Sequence, residues 1–571
     1  MQYHALAVDY DGTLATDGRV DEDTIGALRR LRESGRRIVL VTGRIVDQLL
    51  QIFPQIGLCD LVVADNGAVI YEPETEECCP QADPPPREFI EELARRGVPN
   101  IEVGDVIVAT WEPHETTVLE TIRDLGLELQ IIFNKGAVMV LPTGVNKATG
   151  LCAALKQLGL SHHNAVGVGD AENDEAFLKL CEASAAVENA LEVVKRQVDI
   201  VTHGARGAGV TEVIDQLLAD DLEKLRHRAD RGIVMGTDLE GHEFRVPVYG
   251  TRVLVTGGPA GGKSKFAVAM LEQLIEHKYQ TCVIDPEGDY HGMKEPVVLG
   301  TIEQPPAAEE VIEVLNDPAK SCVVSLFGAP RKEQPALFAR LLRALMEYRS
   351  RYGRPHWYLI DEAHYPLPAK WEPVDDLPLG DLRSVMYITA FIDQLPEAVL
   401  RNVDLFVAIG DDPVKSLAQY CELLGEPTPG LAPPADHQEH RAIAWWIGKG
   451  QPGWFRRMPP RSEHHRHRHG YLEGDMDAED RFYFRGPKGE LNLAAQNLRM
   501  FMQVGEGVDD ETWLHHLRKG DYARWFRDTI KDDELAERAE KLRRNGDVSA
   551  EESRKTLFDF IRNKYEPAAE A

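Results

Sequence analysis

The chain has 571 residues, a formal net charge of −30, 43% hydrophobic residues and 7% aromatic residues. That length holds roughly three to four domains of ordinary size, each burying its own core, and the composition excludes a disordered chain. The acidic balance argues against a dedicated nucleic-acid coat or a binder of anionic membranes, though it leaves room for a local basic groove.

The N-terminus runs from Met1 straight into an apolar strand without a signal-peptide pattern, and no apolar run reaches the roughly 18–20 residues of a spanning helix. Eight cysteines lie scattered through apolar runs without metal-ligand spacing. A soluble, cytoplasmic protein with reduced thiols and no membrane partner is expected.

Residues 1–225 alternate short apolar runs with amphipathic stretches. Strands are expected at 5–8, 37–41, 61–64 and 165–168, and helices at 23–34 and 173–180. That alternation predicts an α/β fold with a parallel, doubly wound sheet. Between about 70 and 145 the pattern shifts to a smaller unit, with strands at 101–103, 106–110, 130–134 and 137–141 and two amphipathic helices. An insert of that kind forms a cap over the strand-end site. Residues 220–231 read as a connector.

A second α/β alternation spans 232–428. It holds an entry hairpin at 232–248, a strand at 252–256, a helix at 263–277, and strands at 281–284, 321–326, 357–360, 385–389 and 405–409. Residues 429–489 are rich in Pro, His and Arg and read as a linker region, the His/Arg run at 464–469 included. The stretch 481–486 mixes aromatic and basic residues, as an edge strand or a nucleic-acid surface does. Residues 490–571 read as a charged helical module with a stripe that includes Trp513, Leu517, Trp525 and Phe526.

Two phosphate-handling patterns stand out. The first is Asp9-Tyr10-Asp11-Gly12-Thr13 at the end of the first strand. Transfer of a phosphoryl group to a carboxylate needs one aspartate as nucleophile and a second acid/base group beside it. Asp9 suits the attack. Asp11 suits protonating the leaving oxygen and then deprotonating the attacking water. A metal and phosphate-binding cations or hydroxyls are also required. Thr42, Lys147 and the acidic loop from Gly169 to Asp174 all fall just past predicted strands or turns, where ligands bind in open α/β sheets.

With these motifs in this order, residues 1–225 resemble the haloacid dehalogenase phosphatases. The branch is the Cof type, with an α/β cap, similar to archaeal-type phosphoglycolate phosphatases and sugar-phosphate phosphatases. The sequence Asp65-Asn66-Gly67-Ala68 resembles that family's turn before the cap. The resemblance implies a Rossmann-like core and a Mg2+ ion held by Asp9, Asp170 and the backbone carbonyl of Asp11, with Asp174 supporting the metal. It also implies phosphate contacts from Thr42, Lys147 and Asn173.

The second pattern, Gly257-Gly258-Pro259-Ala260-Gly261-Gly262-Lys263-Ser264, lies between a predicted strand and a helix. Such a loop turns backbone amides around nucleotide phosphates. Lys263 suits the β/γ oxygens and Ser264 a Mg2+ ion. The apolar run ending in Asp361-Glu362 supplies a carboxylate for the metal shell, Asp361, and one to polarise water, Glu362. Region 232–428 resembles the HerA/FtsK branch of P-loop ATPases, which implies a RecA-like fold, ATP as ligand and a homo-oligomer formed through this domain.

The expected protein is therefore a Mg-dependent phosphomonoester hydrolase acting on a small phosphorylated metabolite, fused to an ATP-binding domain. Two alternatives unite the same chemistries. One is an oligomeric ATPase working on nucleic acid or protein with an accessory phosphatase. The other is a polynucleotide kinase–phosphatase.

Overall fold

The structure, a computed structural model, describes residues 1–134, 136–226, 232–258, 261–290, 293, 295–301, 303–371, 377–431, 441–461, 481–530, 532–546 and 548–565. It divides into two compact units. The first is Met1–Arg228 with Asn316–Ala319 and Tyr348–Arg354; the second takes in the rest of the chain.

In the first unit the main sheet has strands β1 (Ala5–Asp9), β2 (Arg37–Val41), β3 (Leu61–Ala64), β4 (Val69–Glu72) and β5 (Glu77–Pro80). A second sheet is built from β6 (Glu102–Val103), β7 (Val108–Trp111), β8 (Leu129–Asn134) and β9 (Ala137–Pro142). The main sheet is completed by β10 (Ala165–Gly169), β11 (Ala183–Ala186) and β12 (Ile200–Val201). Its order is β12-β11-β10-β1-β2-β3-β4-β5, and the strands from β12 to β3 run parallel.

β1 is buried along its whole length, as a central parallel strand covered on both faces must be. Val8 pairs with Val168 and Asp9 with Val41 in register, so three adjacent strands end at one edge. The smaller sheet, ordered β6-β7-β9-β8, packs with the helices Arg87–Arg95 and Glu115–Asp124 around Phe89, Leu93, Val118, Val138 and Val140. The insert is narrower than the stretch from 70 to 145, because β4 pairs antiparallel with β3, β5 pairs antiparallel with β4, and both belong to the main sheet.

The second unit holds β13 (Ile233–Asp238), β14 (Glu243–Val246), β15 (Arg252–Thr256), β16 (Thr281–Asp285), β17 (Val297–Leu299) and β18 (Cys322–Ser325). The same sheet takes in β19 (Trp357–Ile360), β20 (Val385–Thr389), β21 (Leu405–Ile409), β22 (Arg441–Trp446) and β23 (Gly453–Arg457). The order is β14-β13-β23-β22-β21-β15-β20-β19-β16-β18-β17.

The sheet therefore continues past residue 428. β22 pairs antiparallel with β21, and β23 closes onto β13, so part of the stretch read as a linker is core. The physical reason is burial: Ala442, Ala444 and Phe455 lie in the apolar core of this sheet. The run 464–469 lies outside the described residues. Further on, the strand Phe482–Phe484 pairs with Leu493–Ala495. Together with the helices between Leu498 and Tyr565 it encloses a core that includes Phe501, Trp513, Tyr522 and Phe526, so this module begins before residue 490. Among the described residues no helix is long and apolar enough to cross a membrane.

Candidate functional site

Asp9 ends β1 and Asp170 follows β10 on the neighbouring strand. Asp174 sits in the short turn after it, its Oδ2 accepting the amides of Asp170 and Ala171 at 3.0 Å each. All three aspartates are buried, and one carboxylate oxygen from each lies within 4.8 Å of the others. Lys147, first residue of the helix Lys147–Gln157, reaches into the group. Its Nζ donates to Asp9 Oδ1 at 2.6 Å and to Asp174 Oδ1 at 2.5 Å. The capping box built on Asn146 fixes the start of that helix and so the base of the lysine.

Thr13 donates to Asp170 Oδ1 at 3.1 Å. Between them lies Gly12, at φ +93°, where a Cβ would stand 2.4 Å from Asp170 Oδ2. Only a glycine lets that carboxylate approach the loop.

Burial pushes the Asp9 carboxyl up to about 8; the charge of Asp174 adds to the shift and Lys147 opposes it. For Lys147 burial works against the charge, but Asp174 and Asp9 outweigh it and hold the ammonium above its ordinary value. Three carboxyl groups thus converge on one ammonium in a buried pocket, a set that carries two net negative charges once all three are ionised. That all-oxygen donor set, with room preserved by Gly12, fits a small divalent cation such as Mg2+.

Asp11 does not join this group. The chain turns at Tyr10, whose carbonyl accepts the amides of Leu14 and Ala15, so Asp11 leaves the strand's alternation. Its carboxylate is instead gripped at two points by Arg44, Nε to Oδ2 at 2.6 Å and Nη2 to Oδ1 at 2.7 Å. The side chain in direct contact with Asp9 is Lys147, and Asp11 faces a cavity of about 470 Å3 lined also by Arg44, Glu102, Trp111, Met139 and Arg206. That cavity lies between the strand-end loops and the smaller sheet.

Thr42 is buried after β2, its Oγ accepting the Arg44 amide at 3.2 Å. Asn173 is half-buried in the turn before Asp174. Arg44 carries no assigned role in the sequence reading, although it stands two residues from Thr42; the signal for it was a cation beside a strand-end hydroxyl.

In the second unit β15 leads to Gly257, whose Cβ would stand 1.8 Å from the Ile409 carbonyl of neighbouring β21. Lys263 Nζ donates to the carbonyls of Gly257 at 3.1 Å and Gly258 at 3.2 Å, and half-buried Ser264 follows on the helix Lys263–Glu276. Pro259 and Ala260 lie outside the described residues. Arg457 of β23, missed from the sequence, donates to the Gly262 carbonyl at 3.1 Å and the Gly261 carbonyl at 3.3 Å.

Asp361 and Glu362 follow β19, which is separated from β15 by β20 in the same parallel part of the sheet. Burial holds Asp361 well above the usual carboxylate range, with the Glu362 charge adding, and its Oδ2 accepts the Tyr290 hydroxyl at 3.0 Å. Glu362 adopts φ +36°, a conformation that L-residues rarely take.

Residues 6–97 and 98–214 match the haloacid dehalogenase-like hydrolase family. The phosphoglycolate phosphatase of Methanothermobacter thermautotrophicus is 28% identical over 220 residues, 38% of this chain and 98% of that protein. That of Methanosarcina acetivorans is 28% identical over 238 residues, 38% of this chain and 97% of that protein. The phosphoglycolate phosphatase of Haloarcula marismortui is 30% identical over 217 residues, 37% of this chain and 95% of that protein. Through its N-terminal part, this chain belongs to the haloacid dehalogenase-like hydrolases, of the phosphatase type.

Proposed function

We propose that the first unit hydrolyses a small phosphomonoester through an aspartyl-phosphate on Asp9. The observation that carries the reading is the Lys147 ammonium bridging Asp9 and Asp174 beside Asp170. In this reading Asp9, Asp170 and Asp174 would hold Mg2+, which when bound would supply the charge neutralisation that lets an anionic carboxylate approach an anionic phosphate.

An oxygen of Asp9 attacks phosphorus, the bond from phosphorus to the ester oxygen breaks, and that oxygen takes a proton from Asp11. Water then gives a proton to Asp11 and attacks the same phosphorus, releasing phosphate and restoring Asp9. Lys147, Thr42 and Asn173 orient the phosphoryl oxygens. Arg44 holds Asp11 in place until an incoming phosphate competes for the guanidinium. The relatives are phosphoglycolate phosphatases, which supports a small phosphorylated acid or sugar as substrate. Release of phosphate from p-nitrophenyl phosphate should vanish in Asp9→Asn, and beryllium fluoride should be trapped on Asp9 alone; full turnover by the variant overturns the assignment.

Residues 232–457 we read as an ATP-binding unit. The strand–loop–helix around Lys263 and the carboxylates Asp361 and Glu362 after β19 of the same sheet support it. Ser264 and Asp361 suit a Mg2+ shell, and Glu362 suits polarising water, which favours hydrolysis over transfer to a hydroxyl. Loss of ATP hydrolysis in Lys263→Ala tests this. Strong stimulation of that hydrolysis by DNA would favour an oligomeric motor, and transfer of label to a hydroxyl-ended oligonucleotide a kinase.

A further inference from the structure

Arg206 stands on the wall of the 470 Å3 cavity that Asp11 and Arg44 also line. It is held there by an unusual local structure. Its backbone lies at φ +52° and ψ −133°, outside the regions an L-residue ordinarily occupies. Its amide donates to Asn189 Oδ1 at 2.8 Å, and the Asn189 side chain donates in turn to the Gly12 carbonyl at 2.8 Å. One asparagine therefore ties Arg206 to the loop that carries Asp9 and Asp11. On the other side Gly207 packs so closely that a Cβ there would stand 2.3 Å from Thr24 Oγ and 2.9 Å from Asp21 Oδ2. The segment is pinned from both flanks, so the strained conformation persists.

The charges on the cavity wall are Asp11, Asp17, Arg44, Glu102 and Arg206. Arg44 is engaged at two points by Asp11. Among the described residues the guanidinium of Arg206 makes neither an ion pair nor a hydrogen bond. It is thus a cation displayed on the wall of a cavity of small-molecule size, with its donors available to a ligand.

We propose that Arg206 sets substrate choice by binding a carboxylate carried by the phosphomonoester, at the end of the substrate away from the phosphoryl group. The inference rests on the phosphatase reading above and deepens it. A guanidinium presents parallel N–H groups that match both oxygens of a carboxylate, and the pair gains strength where the ligand excludes water. A neutral alkyl tail offers nothing to those donors. Arg206 touches the substrate remote from phosphorus, so it governs selectivity and the chemical step stays with Asp9 and Asp11.

The test compares 2-phosphoglycolate with ethyl phosphate, which has the same phosphomonoester end and no carboxylate, using the full chain with Mg2+. In Arg206→Ala the ratio of kcat/KM between the two esters should fall by at least about tenfold, the loss sitting in KM for phosphoglycolate. Arg206→Lys should recover part of the ratio. Arg206→Gly should lose the same selectivity while raising Tm, because glycine accepts the backbone conformation and a collapse of the fold is thereby excluded as the cause.

A wild-type ratio no greater than one overturns the proposal. So does a ratio in Arg206→Ala within about twofold of wild type, or an equal loss for both esters. If the wild type cleaves neither ester nor p-nitrophenyl phosphate, the phosphatase reading itself falls; if it cleaves them without regard to residue 206, only the role of Arg206 does.

Discussion

Lys147 and Lys263 occupy equivalent places in their units: each is the first residue of a helix and each is almost fully buried, at 3% and 6% exposure. Their partners differ. Lys147 sits between two carboxylates, whereas Lys263 donates to two backbone carbonyls of its own loop. The helix of Lys147 is capped by the Asn146 side chain, while that of Lys263 starts from Gly262 in a left-handed turn with no side-chain cap. A buried cation between anions is a fixed part of its site's charge balance. One resting on neutral carbonyls is exchangeable, since an anionic phosphate would bind it more strongly than they do.

The sharpest break between the two sites is Asp9→Asn. Phosphomonoester turnover should drop by about 10^4-fold or more while ATP hydrolysis persists, measured on one preparation with the two substrates. Next comes Lys147→Ala, which leaves Asp9 and Asp174 facing each other in a dry site. Thermal and urea unfolding should show a loss of about 3–5 kcal/mol, the range for removing one member of a buried ion pair. By the same comparison Lys263→Ala should cost little stability. Its effect should lie in ATP turnover, down by about 10^2–10^3-fold in steady-state assays.

A pH-dependent effect sharpens the picture of the first unit. Burial pushes the Asp65 carboxyl up to about 7, helped by the charge of Asp105 and opposed by the amides of Val106 and Ile107. The folded state therefore binds more protons than the unfolded state between about pH 4 and 7, and stability falls as pH rises through that window. Asp65→Asn should remove this part of the slope. Its stability relative to wild type should rise by about 4 kcal/mol between pH 4 and pH 7, the fixed cost of burying the amide being the same at both ends. Unfolding curves of the two proteins across pH give the difference directly, and parallel curves would reject it.

Much of the first site is legible in the chain because its parts follow strands. Asp9 and Asp170 are read from apolar runs that end in acidic loops, and the structure gathers both with Lys147 and Asp174. The pairing of Asp11 with Arg44 is not legible, since spacing of two residues implies a shared face only while the strand continues, and here the strand ends at Asp9 and the chain turns at Tyr10. Asn189 and Arg206 leave no local signal: one works through a hydrogen bond 177 residues away in sequence, the other through a backbone angle. Composition misleads at β22 and β23. Neighbouring Pro, His and Arg outweigh the short runs Arg441–Trp446 and Gly453–Arg457, and only pairing with β21 and β13 reveals them as sheet.

The insert of β6 to β9 encloses apolar residues of its own, from Phe89 to Val140, yet sends Val106, Ile107 and Leu141 into the main core, while Glu102 and Trp111 stand exposed at the cavity. The two kinds of position differ in what a change costs. Exposed rim side chains can be altered one by one without opening a void above the aspartates, whereas exchange of the whole insert must respect the three anchors.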